Sequence, residues 1–271
     1  MERVELSGIS VAGVETCIEV PGLHLLLDLG ACPRSAVSQP VVLVSHGHLD
    51  HIGAITNHAA RRALLGMSDG IYIVPRAIAA DVEALFDAAG ALDGQAIPRR
   101  IVALAPGEEH ALGKGRVVRA FETFHRVPSQ GYTVWETRRR LRPDLRDVPG
   151  ARLGELRRQG VAIDEVHEVA RLSFTGDTRV EVLERTPELQ HTECLVIEAS
   201  FLDDLVPKAE AREMGHIHLD ELIDRAELLP KTDLVFSHFS ARYGAADVRE
   251  ILGRRVPDEL REVVRALPAN R

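Results

Sequence analysis

The stretch VVLVSHGHLDHIGAI, Val41 to Ile55, puts His46, His48, Asp50 and His51 within six residues, directly behind a run of valine and leucine. The apolar run reads as a buried strand, and four ligand-type side chains follow at the point where it gives way to a loop. His46 and His48 are separated by one residue, so on an extended strand end their side chains point the same way, a pincer for one metal ion. Asp50 and His51 lie where the chain turns into a helix and can aim a second set of ligands at a neighbouring ion. Imidazole and carboxylate without thiolate suit zinc, with manganese or iron as substitutes. A polar loop with surface histidines is the bland reading, and the density of ligand types behind a core strand speaks against it.

Four ligands from one loop cannot close two tetrahedral sites, so more are expected downstream, each at the end of an apolar strand. His125 ends VVRAFETFH, Asp177 follows RLSFTG, and His238 ends TDLVFS. Each sits where a strand passes into a loop, the position at which α/β folds collect their sites.

Composition sets the outer limits. The chain has 271 residues, 45% of them hydrophobic, enough for one sizeable core. It contains no run of eighteen apolar residues, and MERVELSGIS lacks the shape of a signal peptide, so a cytoplasmic protein without a membrane segment is expected. Cys17, Cys32 and Cys194 are odd in number and without C-x-x-C spacing, which suggests neither a disulfide framework nor a thiolate metal site. The net charge of −8 argues against nucleic-acid binding over the whole surface. One basic face remains: Arg138 to Arg158 holds eight arginines against Asp144, Asp147 and Glu155.

The first third reads as short strands, RVELSGI, TCIEV, LHLLLDLG and QPVVLVS, separated by glycine and proline signals. Residues Asp50 to Gly66 then suit a helix, IYIVP a strand, and RAIAADVEALFDAAG a helix ending at Gly90. Strands are expected again at IPRRIVALA, RVVRAFETF, GYTVWET, VARLSFTG and ECLVIEAS, followed by helix, strand and helix at HLDELIDRAELL, TDLVFSHF and AADVREILGRR. Two sheet-rich halves, each with helices, would pack as an α+β, four-layer α-β-β-α sandwich, since each sheet must bury one face on the other and one under helices. One domain over 1–271 is the expected organisation, with a basic, reduced arm-like insert at about 137–168.

SHGHLDH resembles the H-x-H-x-D-H signature of the metallo-β-lactamase superfamily, and His125, Asp177 and His238 fall in its later motifs in order. Within that superfamily the chain is similar to tRNase Z, in particular to the short plant-type enzymes. GVETCIEVPGLHLLLDLGACP, TFHRVPSQGY, FTGDT, VIEASFLDD, GHIHLDEL and HFSARY carry the likeness, from about Val4 to Tyr243. The resemblance implies that His46, His48, His125 and Asp177 hold one zinc and Asp50, His51, Asp177 and His238 the other, with Asp177 bridging. Asp50 would serve as a catalytic carboxylate as well as a ligand. Two such ions, roughly 3.5–4 Å apart, would activate a water and stabilise charge on a phosphodiester under in-line attack.

A leaving 3′-oxygen needs a proton. His216 in GHIHLDEL matches the family histidine thought to donate it, and Glu198 in VIEAS the glutamate that orients or recharges it. His218 reads instead as a cap at a helix start. Asp28 in LLLDLG is expected to support the metal loop through hydrogen bonds rather than to ligate. Arg242 and Tyr243 follow His238 and could contact substrate phosphate, although Tyr243 could equally pack. His24, His58, His110, His167 and His191 read as solvated or satisfied side chains.

For substrate, the resemblance implies a precursor tRNA cut endonucleolytically at its 3′ trailer, leaving a 3′-hydroxyl on the tRNA and a 5′-phosphate on the trailer. The arginine-rich segment, Arg138, Arg139 and Arg140 foremost, lies where many such enzymes insert an arm that grips tRNA, and suits phosphate contacts. Only 51 residues separate His125 from Asp177, which leaves space for a reduced arm. The lysine-arginine-asparagine loop of the common bacterial enzymes is replaced by VAGVETC, as in the plant-type enzymes. The resemblance also suggests a homodimer in which one chain's basic face serves the other's site. A phosphodiesterase for small or cyclic nucleotides is the alternative, and an inactive RNA-binding scaffold is disfavoured because no ligand is missing.

Overall fold

The structure, a computed structural model, describes residues 3–267. Strands β1 (Ser7–Ala12), β2 (Glu15–Val20), β3 (Leu25–Leu27), β4 (Val41–Leu43), β5 (Gly70–Pro75) and β6 (Arg99–Leu104) build the first sheet in sequence order. Strands β7 (Glu109–Gly113), β8 (Arg116–Glu122), β9 (Gln130–Leu141), β10 (Asp164–Phe174), β11 (Leu195–Glu198) and β12 (Leu234–Ser237) build the second. The last two strands close the edges: β13 (Phe239–Ser240) pairs with β1 of the first sheet, and β14 (Val264–Ala266) with β12 of the second. Strands β3 to β6 are parallel, as are β10, β11, β12 and β14. Parallel strands are covered on both faces, which is why LLL, VVL and LVIE are unbroken apolar or nearly so, and not alternating.

Three apolar layers follow from this arrangement. Ile18, Leu27, Leu43 and Ile73 of the first sheet meet Val118, Val134, Leu172 and Val196 of the second in the central core. Outside the first sheet, helices α1 (Leu49–Ile52), α2 (Ile55–Leu64) and α3 (Ala79–Asp93) cover Val42, Val44, Tyr72 and Val74. Of the later helices, α4 (Gly150–Arg158) buries no residue, whereas α5 (Val182–Arg185) packs on the second sheet. After α6 (Lys208–Met214), that outer layer is completed by α7 (Leu219–Ile223), α8 (Ala245–Arg255) and α9 (Asp258–Arg261). The result is the expected α-β-β-α sandwich.

Several helix boundaries differ from the sequence reading, among them that of HLDELIDRAELL, where the helix stops at Ile223 and a separate 3-10 turn follows at Ala226–Leu228. Asp50 to Gly66 is broken, because the Ala54 amide donates to the Leu29 carbonyl at 2.9 Å and pulls the chain out of the helix that Gly53 has just closed. The next helix runs past Gly90 to Asp93 and ends at Gly94, which takes the left-handed conformation. Gly90 is a packing glycine: a Cβ there would lie 2.9 Å from the Gln95 carbonyl oxygen. The arginine-rich segment is a hairpin extension, with β9 and β10 pairing from Glu136 to Leu141 against Asp164 to Val169, beyond the buried part of the sheet, and α4 at its tip.

Among the five histidines expected to be solvated or satisfied, His58 is fully buried. It accepts from the Tyr72 hydroxyl at 2.8 Å and donates to the Gln39 carbonyl at 3.2 Å. Burial, reinforced by the Arg62 charge, pushes its pKa down to about 4. An unfolded histidine titrates near 6.5, so between these values the unfolded chain binds the proton and the folded chain does not. Stability contributed by neutral His58 is complete above about pH 6.5 and falls as the pH drops toward 4. Denaturant unfolding at pH 7 and pH 4.5 should differ by about 2 kcal/mol on this account, and His58→Gln should remove that part of the difference. An equal pH slope in the variant would show that His58 does not set it.

Candidate metal centre

The ligand-type side chains converge from both sheets at the carboxyl ends of their strands. His46, His48, Asp50 and His51 follow β4, His125 follows β8, Asp177 follows β10, and His238 follows β12. An isolated bridge between His46 and Ser129, with the Gln130 amide donating to the Ser45 carbonyl at 3.0 Å, ties the two sheets together there. Ligand atoms of His46, His48, His125 and Asp177 all lie within 4.8 Å of one another, and so do those of Asp50, His51 and His238. Asp177 reaches into the second group: its Oδ2 is 3.4 Å from His51 Nε2 and its Oδ1 is 3.3 Å from His238 Nδ1.

Four of the five rings, those of His46, His51, His125 and His238, are held by their other nitrogen. Ser45 Oγ lies 2.9 Å from His46 Nδ1, the Gly215 carbonyl accepts from His125 Nδ1 at 2.9 Å, and Ser200 Oγ is 3.1 Å from His238 Nδ1. Asp28 accepts from His51 Nδ1 at 2.7 Å, from the Ser45 amide at 2.6 Å and from the Ser45 hydroxyl at 2.7 Å, the supporting part foreseen for it. Such partners fix the tautomer and turn the remaining lone pair inward. Asp28 and His238, both non-glycine, occupy the left-handed region at φ 56° and 59°, a strain that clusters at functional sites. Gly215 is required by contact: its φ is +83°, and a Cβ there would lie 2.8 Å from His125 Nδ1.

The group fits divalent metal ions. His46 Nε2 and His48 Nδ1 are 2.9 Å apart, His48 Nδ1 and His125 Nε2 3.3 Å, and His51 Nε2 and His238 Nε2 3.1 Å. Four ligands about 2.0–2.1 Å from a tetrahedral zinc stand about 3.3 Å from one another, so these separations suit a shared ion. Asp177, 2% exposed, leaves Oδ1 without a hydrogen-bond donor among the described residues. Against the penalty of burial, His238 and His51 hold its carboxyl well below the usual range, and His238 and His51 do the same for Asp50. Conversely, Asp177 and Asp28 outweigh burial at His51 and raise its pKa, which marks the spot as one that favours positive charge.

Next to this cluster, His216 Nδ1 lies 3.1 and 3.2 Å from the two Glu198 oxygens. Glu198 is buried and also accepts from the Thr178 amide, the Ser200 hydroxyl and the Ile217 amide. Although burial alone would lower it, the His216 pKa is raised to about 9, chiefly by the Glu198 carboxylate. His216 Nε2 has no protein partner among the described residues. His218 is a cap: its Nδ1 accepts from the Asp220 amide and its Nε2 donates to the Asp203 carbonyl.

The expected substrate contacts separate. Tyr243 is 4% exposed; its hydroxyl donates to Asp203 and accepts from the Leu202 amide, so it packs and does not face a phosphate. Arg138 is engaged by Glu193 and Glu136, which compete with any phosphate. Arg242 is exposed and stands over the Phe201 ring at 5.9 Å. Arg139 and Arg140, with Arg146 and Arg158, are exposed and without an ion pair among the described residues. Ser45, Ser200 and the Gly215 carbonyl were not singled out from sequence; the signal was their position beside motif residues, in SHGH, EAS and GH.

A family model for the beta-lactamase superfamily domain matches residues 30–239. The tRNase Z TRZ1 of Arabidopsis thaliana is 36% identical over 259 residues, 95% of this chain and 92% of that protein. The chain belongs to the tRNase Z family. A protein named nuclear ribonuclease Z from Triticum aestivum is 39% identical over 163 residues, 60% of this chain and 93% of its own length. Among solved structures, the short form of human tRNase Z superposes with a TM-score of 0.58 at 16% identity, over 88% of this chain and 92% of that one, a likeness of fold. Membership of the tRNase Z family makes the chain a metal-dependent hydrolase, and no described helix is long and apolar enough to cross a membrane.

Proposed function

We propose that the chain removes 3′ trailers from precursor tRNA, cutting endonucleolytically to leave a 3′-hydroxyl on the tRNA and a 5′-phosphate on the trailer. The observation that carries this reading is the Glu198–His216 pair beside the metal cluster, in a chain similar over 95% of its length to a plant tRNase Z. We assign His46, His48, His125 and Asp177 to one zinc and Asp50, His51, Asp177 and His238 to a second, with Asp177 shared. What two such ions supply when bound is activation of a water at neutral pH and neutralisation of phosphodiester charge. The Gly13 amide donates to Asp50 Oδ2 at 2.8 Å and fixes that carboxylate's orientation from the loop VAGVETC. His216, steadied through Nδ1 by Glu198, presents Nε2 as the proton donor to the departing 3′-oxygen. Nearby cations would draw its raised pKa back toward neutrality, which suits a group that must release and regain a proton.

Phosphate contacts along the tRNA fall to Arg242 and to the free arginines of the hairpin, Arg139, Arg140, Arg146 and Arg158. A homodimer would let one chain's hairpin serve its partner's site. Cys17, Cys32 and Cys194 as free thiols accord with a reducing, cytoplasmic setting.

The test is incubation of the purified protein with a precursor tRNA carrying a 3′ trailer, alongside bis-p-nitrophenyl phosphate and cyclic nucleotides. Release of an intact trailer with a 5′-phosphate is expected. Replacing Arg139, Arg140 and Arg158 by alanine should weaken precursor binding and flatten the log–log salt dependence by about 2. Cleavage of the small esters with an untouched precursor would move the assignment to a small-molecule phosphodiesterase.

A further inference from the structure

An apolar hollow of about 330 Å³ opens beside His48. Its walls come from three separate segments: Leu49 and Ile52 of α1, Ile78 and Leu85 at and within α3, and Val127 and Pro128 just after His125. Leu49 is 76% exposed and Leu85 is 40% exposed, so two large aliphatic side chains face water next to the ligand cluster. Hollow and cluster share their walls, since Leu49 stands between His48 and Asp50 and the Val127–Pro128 segment continues from His125. Asp81 adds a carboxylate, which can only accept hydrogen bonds and repels phosphate. Arg126 is exposed, has no ion pair among the described residues, and acts electrostatically on both His48 and His216.

These features match a nucleobase attached to a phosphate. Its flat, weakly hydrated faces suit the aliphatic walls, an edge amino group can donate to Asp81, and the phosphate meets Arg126 and the metal cluster. The order of the rings says which base. His216 is 5.1 Å from His125 and 5.4 Å from His238 between ring centroids, and His125 is 5.0 Å from His48. The hollow includes His48 and not His216, and the ring of His216 neighbours those of His125 and His238 and makes no ring contact with His48 among the described residues, so the hollow opens on the His48 side of the cluster. If the 3′-oxygen of the tRNA departs at His216, the nucleotide that keeps the phosphate leaves past His48.

We propose that the hollow beside His48 is the subsite for the base of the first trailer nucleotide, the residue whose 5′-phosphate is formed on cleavage. The proposal rests on the tRNA-processing reading. Two precursors that differ only in carrying cytidine or an abasic residue at that position test it. The wild-type protein should cut the abasic precursor with a kcat/KM lower by about 10-fold, the discrimination a small apolar pocket provides. Leu85→Ser should lose a similar factor on the cytidine precursor and little more on the abasic one, with metal content and melting temperature showing that the variant is folded. Equal rates on the two precursors with wild-type protein, or a Leu85→Ser loss that is just as large on the abasic precursor, would overturn the subsite alone. If the wild type hydrolyses bis-p-nitrophenyl phosphate but cuts neither precursor, the tRNA reading falls and takes the subsite with it.

Discussion

Replacing His216 by alanine is expected to slow cleavage of a 3′-extended tRNA precursor by about 10²- to 10⁴-fold, the usual worth of a positioned proton donor, while the protein retains its metal. His216 holds Glu198 through Nδ1, leaves Nε2 without a protein partner among the described residues, and stands at the edge of the ligand cluster. Metal analysis beside single-turnover kinetics separates donor from ligand. A slow enzyme with a full complement of ions supports the donor, a slow enzyme stripped of ions makes His216 a ligand, and full activity removes it from the mechanism.

The second large effect is expected at Asp177. This carboxylate approaches His46, His51 and His125 through Oδ2 and His238 through Oδ1, so among the described residues it is the anion common to both ligand groups. Asp177→Ala should reduce bound metal from about two ions per chain to well under one, and activity by about 10³-fold or more, because the charge stabilisation that two ions supply is lost as a unit. Retention of two tightly held ions in the variant would refute the shared-ligand assignment. The variant should also lose the strong electrostatic hold on His51, whose raised pKa depends first on Asp177 among its favourable neighbours.

Much of this centre could be read from the sequence because its signals are local. The pincer of His46 and His48, the turn that carries Asp50 and His51, and the strand-end positions of His125, Asp177 and His238 need no knowledge of long-range contacts. The supporting part of Asp28 comes from the resemblance, whose motif contributes no ligand at that position. What sequence could not show depends on residues far apart in the chain. The sequence leaves Tyr243 open between a substrate contact and a packing role, and the choice rests on Asp203, 40 positions away, which accepts its hydroxyl. Arg138 is engaged by Glu193, 55 positions away, which the sequence gives no means of pairing with it. Gly90 read as a helix stop because a glycine spared for packing and one spared for a left-handed turn look alike in sequence. The hollow beside His48 had no sequence signature at all, since its walls are drawn from Leu49, Leu85 and Val127 on three segments.

The ligand set is divided between the sheets: four side chains hang from the end of β4 and three from β8, β10 and β12. Ions held there would be rivets as well as reagents, because each would bond to side chains of both halves of the sandwich. Their binding energy would therefore belong partly to the mechanical coupling of the halves, and metal supply would govern shape retention together with chemistry.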